Sequence, residues 1–211
     1  MEQYSEPDDI QLVPPSSEVL SRVAEMVTPS EIESAELQAL VDGLLDLARG
    51  EQGNPARRTM VGLAAPQAGI NKRVIVIGID ADDKGAIPDF KAYINPQISS
   101  RSAGTSINRE GCYSTGRVCG IVERANSVTI DALDRFGNAV TESYDGFLAR
   151  IFQHEVDHLN GLRFPDRITK ADDLLWVELE DFGDFRDRWQ DWPHKCSRET
   201  WEAIKHGQAQ A

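Results

Sequence analysis

Hydrophobic positions follow a helical period near the N-terminus and a strand-like pattern further along the chain. Over residues 30–50, apolar side chains recur at i, i+3 and i+4 until Gly50, which predicts a helix. The β-branched run at 73–79 predicts a buried strand, and residues 53–55 (GNP) predict a loop before it. Further strands are predicted at 91–99, 127–133 and 139–144, with a turn at 135–138.

A second helix is predicted over 145–160, with Asp145 as its N-cap and Gly161 at its end. Residues 1–29 contain four prolines and no clean period, which indicates an arm on the surface. Strands in runs around two main helices predict an α+β fold rather than an alternating parallel one. Beyond Pro165 we predict a helix rather than a strand, although no single period fits the apolar positions Leu174, Leu175, Val177 and Leu179.

Composition narrows the classes of function. The 211 residues carry 22 basic and 35 acidic side chains, a net charge of −13, so we expect no sequence-specific nucleic-acid partner, because phosphate contacts need a basic face. No apolar run approaches the roughly 20 residues that span a bilayer, and the first residues lack the features of a signal peptide. We therefore expect no membrane partner and a cytoplasmic location. Three cysteines are an odd number, so at least one is a free thiol or a ligand.

The string at 153–158 (QHEVDH) carries the strongest chemical signal. On a helix, His154 and His158 lie one turn apart and can reach one metal ion, with Glu155 placed to take a proton from water. Two histidines on a solvated face are the alternative, but this helix is apolar on nearly every side. A buried cluster of this kind needs a reason, because unpaired buried charge is costly. We predict a metal site.

The third metal ligand is open from spacing alone. Zinc proteases with a third histidine would need it at position 164, where Phe164 stands, so that interpretation fails. A glutamate on a later element is a second solution, and Glu178 and Glu180 are at suitable distances along the chain. The competing candidate is Cys112, because a thiolate binds divalent ions tightly.

A third string, at 61–69 (VGLAAPQAG), combines small residues with Gln67. Small residues leave room for another chain to approach the backbone, and the Gln67 amide can donate to a developing oxyanion. A tight turn ahead of the strand at 73–79 explains the same residues equally well.

Together, three strings resemble the peptide deformylase family: 62–67 (GLAAPQ), 110–114 (EGCYS) and 154–158 (HEVDH), in that order. The similarity extends over about residues 17–167. It implies an α+β fold with mostly antiparallel strands around a central metal-binding helix. It also divides the chain into an N-terminal arm (1–16), a catalytic domain (17–167) and a partly helical C-terminal extension (168–211).

The resemblance implies a hydrolase that removes the formyl group from the N-terminal methionine of nascent polypeptides, so the partner is an N-formylmethionyl peptide met at the ribosome. It implies one divalent ion, Fe(II) in most family members, with zinc, nickel or cobalt able to replace it. By the same resemblance, Cys112, His154 and His158 hold this ion.

The remaining site residues follow from the same resemblance. Glu155 is the expected general base, and Gln67 and the backbone N–H of Tyr113 are the expected oxyanion donors. An ion pair between Arg124 and Asp157 is expected to tie the helix to the sheet. The expected substrate-binding residues are Val61, Gly62, Glu110, Phe147 and Ile151.

Several positions depart from the family pattern. Met60 stands at a frequent glycine, Tyr113 at a frequent leucine, and Cys119 at a frequent arginine that meets the substrate peptide. Arg117 is a nearby candidate to replace that arginine. Two other functions stay open: a zinc endopeptidase that uses a downstream glutamate, and an inactive relative that binds formylated peptides.

Overall fold

The computed structural model of the chain describes residues 10–50, 60–82 and 89–210. The described strands are β1 (Gly62–Ala64), β2 (Val74–Gly78), β3 (Phe90–Arg101), β4 (Thr105–Gly111), β5 (Val118–Ala125), β6 (Ser127–Leu133), β7 (Ala139–Asp145) and β8 (Leu174–Trp176). The described α-helices are α1 (Pro29–Ile32), α2 (Ala35–Gly50), α3 (Gly146–Leu159), α4 (Phe164–Arg167), α5 (Phe182–Arg188) and α6 (Arg198–Lys205). Short 3-10 turns include Ala65–Ala68 and Tyr113–Thr115. The predicted loop at 53–55 lies outside the described residues.

These strands form two antiparallel sheets. Five strands are ordered β1-β2-β3-β6-β7, and three are ordered β4-β5-β8. Helix α3 packs against strands of the larger sheet and also against β5 of the smaller one. The predicted α+β fold with mostly antiparallel strands is confirmed.

Helix α2 is accounted for by its apolar stripe, which is buried at every predicted position: Leu37, Leu40, Val41, Leu44, Leu45 and Ala48. The single predicted helix over 30–50 is, however, two elements. α1 is one turn that begins after Thr28, and α2 begins at Ala35. The break has a local cause, because the Ser34 hydroxyl accepts the backbone N–H of Leu37 at 3.2 Å and so starts a new helix.

Four predicted strands correspond to β2, β3, β6 and β7 within one or two residues at each end. The predicted turn at 135–138 is present: Asp134 accepts the backbone N–H groups of Phe136 and Asn138, and Gly137 takes a φ of 86°. The helix expected beyond Pro165 does not include Leu174 and Leu175, because Leu174–Trp176 pairs with β5 as a strand; helices follow at α5 and α6. A run of three consecutive buried or half-buried residues is too short to show a period, so the sequence could not distinguish a strand from a helix here.

Helix α3 agrees with the predicted 145–160 helix to within one residue at each end. Asp145 occupies the N-cap position, but its side chain makes no capping hydrogen bond. Gly161 follows the helix with a φ of 71°, and a Cβ there would meet the Ser21 carbonyl oxygen at 2.8 Å. Only glycine suits both constraints.

The segment before α1 is more than a surface arm. Of its described part, Leu20, Ala24 and Val27 are buried, and the Ala24 N–H donates to the carbonyl of Leu159 at the end of α3. The prediction of a surface arm over 1–29 is therefore wrong for these residues. The three buried apolar residues are isolated along a proline-containing segment and follow no regular period, so the sequence pattern did not reveal their burial.

The chain beyond residue 167 adds strand β8 to the smaller sheet and continues into helices α5 and α6. Its buried Leu174, Trp201 and Ile204 share one apolar cluster with Val118 and Phe164 of the preceding region. None of the described helices combines the length and apolar character needed to cross a membrane.

Candidate functional site

Two elements supply the candidate metal ligands. Helix α3 holds His154 and His158 one turn apart, with ring centroids 5.0 Å from each other. Cys112 follows the last residue of β4, and its Sγ lies 3.3 Å from His158 Nε2. One ligand atom from each of the three lies within 4.8 Å of the others, and no second group of this kind occurs in the described part of the chain.

Electrostatics within this group favour a thiolate. Burial alone would raise the pKa of the Cys112 thiol, but its interactions with His158 and His154 outweigh burial and hold the pKa well below its usual range. Burial would likewise lower the pKa of His154, yet Cys112 and Glu110 raise it well above its ordinary value. A thiolate beside two imidazoles is a donor set that suits a divalent ion.

Glu110 was expected among the substrate-binding residues, but the structure gives it a different set of contacts. It is 7% exposed, and its carboxylate accepts hydrogen bonds from Arg124, Arg150 and the Nδ1 of His154, the last at 2.9 Å. Burial would raise its pKa, but Arg124 and His154 bring the pKa well below its ordinary value. A carboxylate that holds the outer nitrogen of a candidate ligand histidine fixes the ring orientation. Glu110 is therefore placed to orient His154, and it also lines the cavity described below.

Arg124 makes the expected pair with Asp157, with 2.5 Å between Nη1 and Oδ2. The same guanidinium also binds Glu110 through Nε and Nη2 at 2.9 and 2.8 Å, a contact that the sequence did not indicate. Asp157 has a second partner, Arg167, whose side chain is half exposed. Arg124 thus joins the strand that precedes Cys112 to the helix that carries both histidines.

We expect Arg124→Ala to lower the free energy of unfolding by about 3–5 kcal/mol, because it leaves two buried carboxylates without their shared cation. For a chain of this size the melting temperature would fall on the order of 10 °C. Arg167→Ala is the matched control, since its partly exposed pair should contribute less than about 1 kcal/mol. Equal melting temperatures for Arg124→Ala and the wild type would contradict this role.

Glu155 lies in the most confined part of the site. Its side chain is buried, and burial raises the pKa of its carboxyl group to about 7. Among the described residues its Oε2 has no hydrogen-bond partner. A Cβ on Gly62 would come within 2.6 Å of Glu155 Oε1 and 2.9 Å of Ile151 Cγ2, so only glycine at position 62 leaves room for the carboxylate.

Gln67 lies across from Glu155 in the 3-10 turn that follows β1. Its side-chain oxygen accepts the backbone N–H of Ala64 at 2.8 Å, which fixes the direction of the amide. Its Nε2 donates to Cys112 Sγ at 3.3 Å and to Ser114 Oγ at 3.2 Å. Tyr113 begins the 3-10 turn directly after Cys112. The amide nitrogen of Gln67 is therefore held at the sulfur of the candidate metal group.

A cavity of about 400 Å³ opens in front of these groups. It brings together nearly all the predicted site residues: Val61, Gly62, Gln67, Glu110, Cys112, Tyr113, Phe147, Ile151, His154 and Glu155. His158, Arg124 and Asp157 are buried and do not line the cavity. His158 is a ligand candidate, and Arg124 and Asp157 are the ion pair that supports its helix. Met60 and Cys119, two of the positions that depart from the family pattern, also line the cavity.

The cavity has one wall that the sequence did not predict. Phe182, Gly183, Phe185 and Arg186 of α5 line it, from a segment with no periodic pattern and no motif. Arg117, the candidate to replace a substrate-binding arginine, is engaged elsewhere: its Nε lies 3.1 Å from Glu178 and its guanidinium lies over the Trp176 ring. Cys119 is fully buried against Phe185 and its neighbours.

The geometry favours Cys112 over the downstream glutamates as the third ligand, because neither Glu178 nor Glu180 belongs to the candidate group among the described residues. Cys112 belongs to the ligand group, whereas Glu178 pairs with Arg117 and accepts the indole N–H of Trp176. Phe164, at the position where another protease type would carry a histidine, stacks on His154 with centroids 6.0 Å apart. The endopeptidase arrangement is not present among the described residues.

Comparison with known proteins gives a consistent result. The family model described as polypeptide deformylase matches residues 10–173. A peptide deformylase of Halothermothrix orenii is 40% identical over 132 residues, which cover 63% of this chain and 77% of that protein. One from Treponema pallidum is 38% identical over 158 residues, covering 74% of this chain and 87% of the relative.

Solved structures are similar over the same region. A class I type b peptide deformylase from Acinetobacter baumannii with Met-Ala-Ser bound has a TM-score of 0.66 and 33% identity, and covers 77% of this chain and 100% of that one. A peptide deformylase from Synechococcus elongatus in complex with actinonin has a TM-score of 0.65 and 34% identity, with coverage of 80% and 84%. This chain therefore belongs to the polypeptide deformylase family, and it is a hydrolase that removes the N-formyl group from nascent polypeptides.

Proposed function

We propose that this deformylase uses one divalent metal ion held by Cys112, His154 and His158, and that it acts on N-formylmethionyl peptides at the ribosome in the cytoplasm. The observation that carries the assignment is the buried Cys/His/His group within 4.8 Å, with the Glu155 carboxylate beside it. The donor set fits such an ion, because the thiol is held toward its thiolate form and Glu110 orients His154.

Fe(II) is the proposed native metal, with zinc, nickel or cobalt able to replace it. One sulfur and two imidazole nitrogens suit both iron and zinc, so the choice of iron rests on the resemblance to the family. When bound, a divalent ion supplies Lewis-acid chemistry: it lowers the pKa of water and polarises a carbonyl oxygen.

Glu155 has the proposed role of proton carrier. It takes a proton from the water that attacks the formyl carbon, and it passes that proton to the amine when the carbon–nitrogen bond breaks, which releases formate. A general base works best with a pKa near the working pH, and burial raises the pKa of Glu155 to about 7. The carboxylate lies close to Gly62, where an added Cβ would come within 2.6 Å of its Oε1.

Gln67 and the backbone N–H of Tyr113 are the proposed donors to the tetrahedral oxyanion. The Gln67 amide is fixed in direction by Ala64, so little reorganisation is needed when charge develops on the substrate oxygen. Its Nε2 donates to Cys112 and Ser114 in the present structure, and one of these bonds would be exchanged for the substrate.

The substrate backbone is proposed to bind along Val61 and Gly62. β1 is an edge strand that pairs with β2, and its residue Gly62 and the preceding Val61 line the cavity. An extended peptide can add to such an edge through main-chain hydrogen bonds. The first side chain of the peptide then points toward α3, where Phe147 and Ile151 form an apolar slot.

We expect a ten- to hundredfold preference in kcat/KM for formyl-Met over formyl-Ala peptides, because burying the longer side chain contributes about 1.5–3 kcal/mol. Ile151→Asp or Phe147→Asp should remove this preference. Leu148→Asp is the control, since Leu148 lies on the same helix but does not line the cavity. Equal rates on the two peptides in the wild type would refute the slot while leaving the metal chemistry intact.

The direct test of the proposed function is formate release from formyl-Met-Ala-Ser under anaerobic conditions, with metal analysis of the same sample. We expect stoichiometric iron, activity that decays in air, and longer-lived activity after nickel or cobalt substitution. Full, air-stable activity of protein that contains only zinc would count against iron. Lack of formate release from metal-loaded protein would overturn the function.

A further inference from the structure

Helix α5 lies at the active-site cavity although it belongs to the chain beyond the three motifs. Phe182 is half-buried, Phe185 is 4% exposed and Arg186 is exposed, and all three line the cavity that contains Glu155 and Cys112. The roles proposed above leave these residues unused.

A network of contacts fixes α5 to the smaller sheet. β8 extends that sheet by pairing with β5, and the backbone N–H of Val177 donates to the backbone carbonyl of Arg117 at 2.9 Å. Phe185 packs on Trp192 with centroids 5.4 Å apart, and the Trp192 indole N–H donates to the carbonyl of Trp176 at 2.8 Å. These contacts hold α5 in place as one wall of the cavity.

The charged groups at the cavity mouth are mostly cationic. Arg109 on β4 and Arg186 on α5 line the cavity together with one carboxylate, Asp82. Arg186 also pairs with its exposed neighbour Asp187, with 3.2 Å between Nε and Oδ1, and a substrate carboxylate would compete with this exposed pair. The two deeper carboxylates do not alter this balance, because Glu110 is bound by Arg124, Arg150 and His154, and Glu155 is buried. These two arginines line the cavity although the whole chain has a net charge of −13.

We propose that α5 is the outer wall of the substrate cleft, where Phe182 and Phe185 contact the peptide beyond its methionine and Arg186 selects a carboxylate there. This selectivity rests on the proposed function and adds a substrate class to it: formyl-Met peptides with an acidic group among the first few residues after the methionine. The carboxylate could belong to an Asp or Glu side chain or to the C-terminus of a short peptide.

The test compares kcat/KM for amidated formyl-Met peptides that carry a single Glu or Lys at position two, three or four. We expect the Glu peptide to be better by about fivefold at one or more of these positions, the size of an exposed charge pair. Arg186→Glu should reverse this order. Arg188→Glu, the same change on an exposed neighbour that does not line the cavity, should leave it intact.

Two further measurements separate the alternatives. Peptides with a free C-terminus test whether a terminal carboxylate replaces the side chain, in which case amidation alone lowers kcat/KM and Arg186→Glu removes the difference. Phe182→Ala should raise KM for tetrapeptides by a larger factor than for formyl-Met-Ala amide, with an unaltered melting temperature.

Wild-type protein that shows no charge preference in either series, or identical responses of Arg186→Glu and Arg188→Glu, would overturn the inference. Formate release from the neutral formyl-Met-Ala amide reports the proposed function by itself. Failure on that peptide overturns the function, whereas success there without charge selection overturns only the role of α5.

Discussion

Replacing Glu155 with glutamine should lower kcat by about 10²–10⁴-fold while the metal content stays unchanged. Glutamine has nearly the same shape as glutamate and would still fit beside Gly62, but it cannot take a proton from water. The loss could exceed this range, because the same carboxylate delivers the proton to the departing amine. The measurement is formate release at saturating formyl-Met-Ala-Ser, together with metal analysis.

Glu178→Gln is the matched control for this variant. Glu178 is the downstream glutamate that an endopeptidase would need, and it pairs with Arg117 away from the ligand group. We expect it to retain nearly full deformylase activity. Loss of metal from Glu155→Gln would instead indicate that Glu155 is a ligand, and it would contradict the proposed proton transfer.

Replacing Cys112 with alanine should abolish stoichiometric metal binding and reduce formate release to background. The variant removes the only sulfur in the described ligand group and leaves two histidines, too few to hold a catalytic ion firmly. Metal content after dialysis and activity in the presence of added Fe(II) or Ni(II) would be measured on the same preparation.

Cys196→Ala controls for the loss of a buried thiol as such. Cys196 packs in the same apolar cluster as Cys112 but lies outside the ligand group. It should keep its metal and its activity. A Cys112→Ala protein that retains one tightly bound metal per chain would contradict the assignment and reopen the search for the third ligand.

The two candidate histidine ligands could be found from sequence because a metal site demands particular residue types at short range, whereas spacing left the third ligand open and only the family resemblance singled out Cys112. His154 and His158 need only helical spacing, and Gly62 and Gln67 lie within one strand and its turn. The helices α2 and α3 were predictable for a related reason: an apolar pattern that continues over several helical turns can be recognised even where single positions depart from it. The break at Ser34 was missed because a single hydroxyl decides it.

The rest depends on contacts between distant parts of the chain. Glu110 was predicted to bind the substrate, and the sequence did not indicate its contacts with Arg124 and Arg150, which reach it from other elements. β4 has an exposed and polar first half, so no alternation marks it as a strand. The α5 wall depends on β8 joining β5, and three residues of a short strand contain too little pattern to predict their partner.

The depth of the site has a consequence for the timing of the reaction in the cell. Cys112 and Glu155 are 6% and 4% exposed, behind the β1 edge on one side and α5 on the other. In the proposed binding mode a chain end reaches them as an extended segment, which advances about 3.3 Å per residue. A protein whose first residues are already folded into a helix or sheet cannot supply such a segment. Removal of the formyl group therefore competes with folding, and proteins with early-folding N-termini are expected to keep it most often.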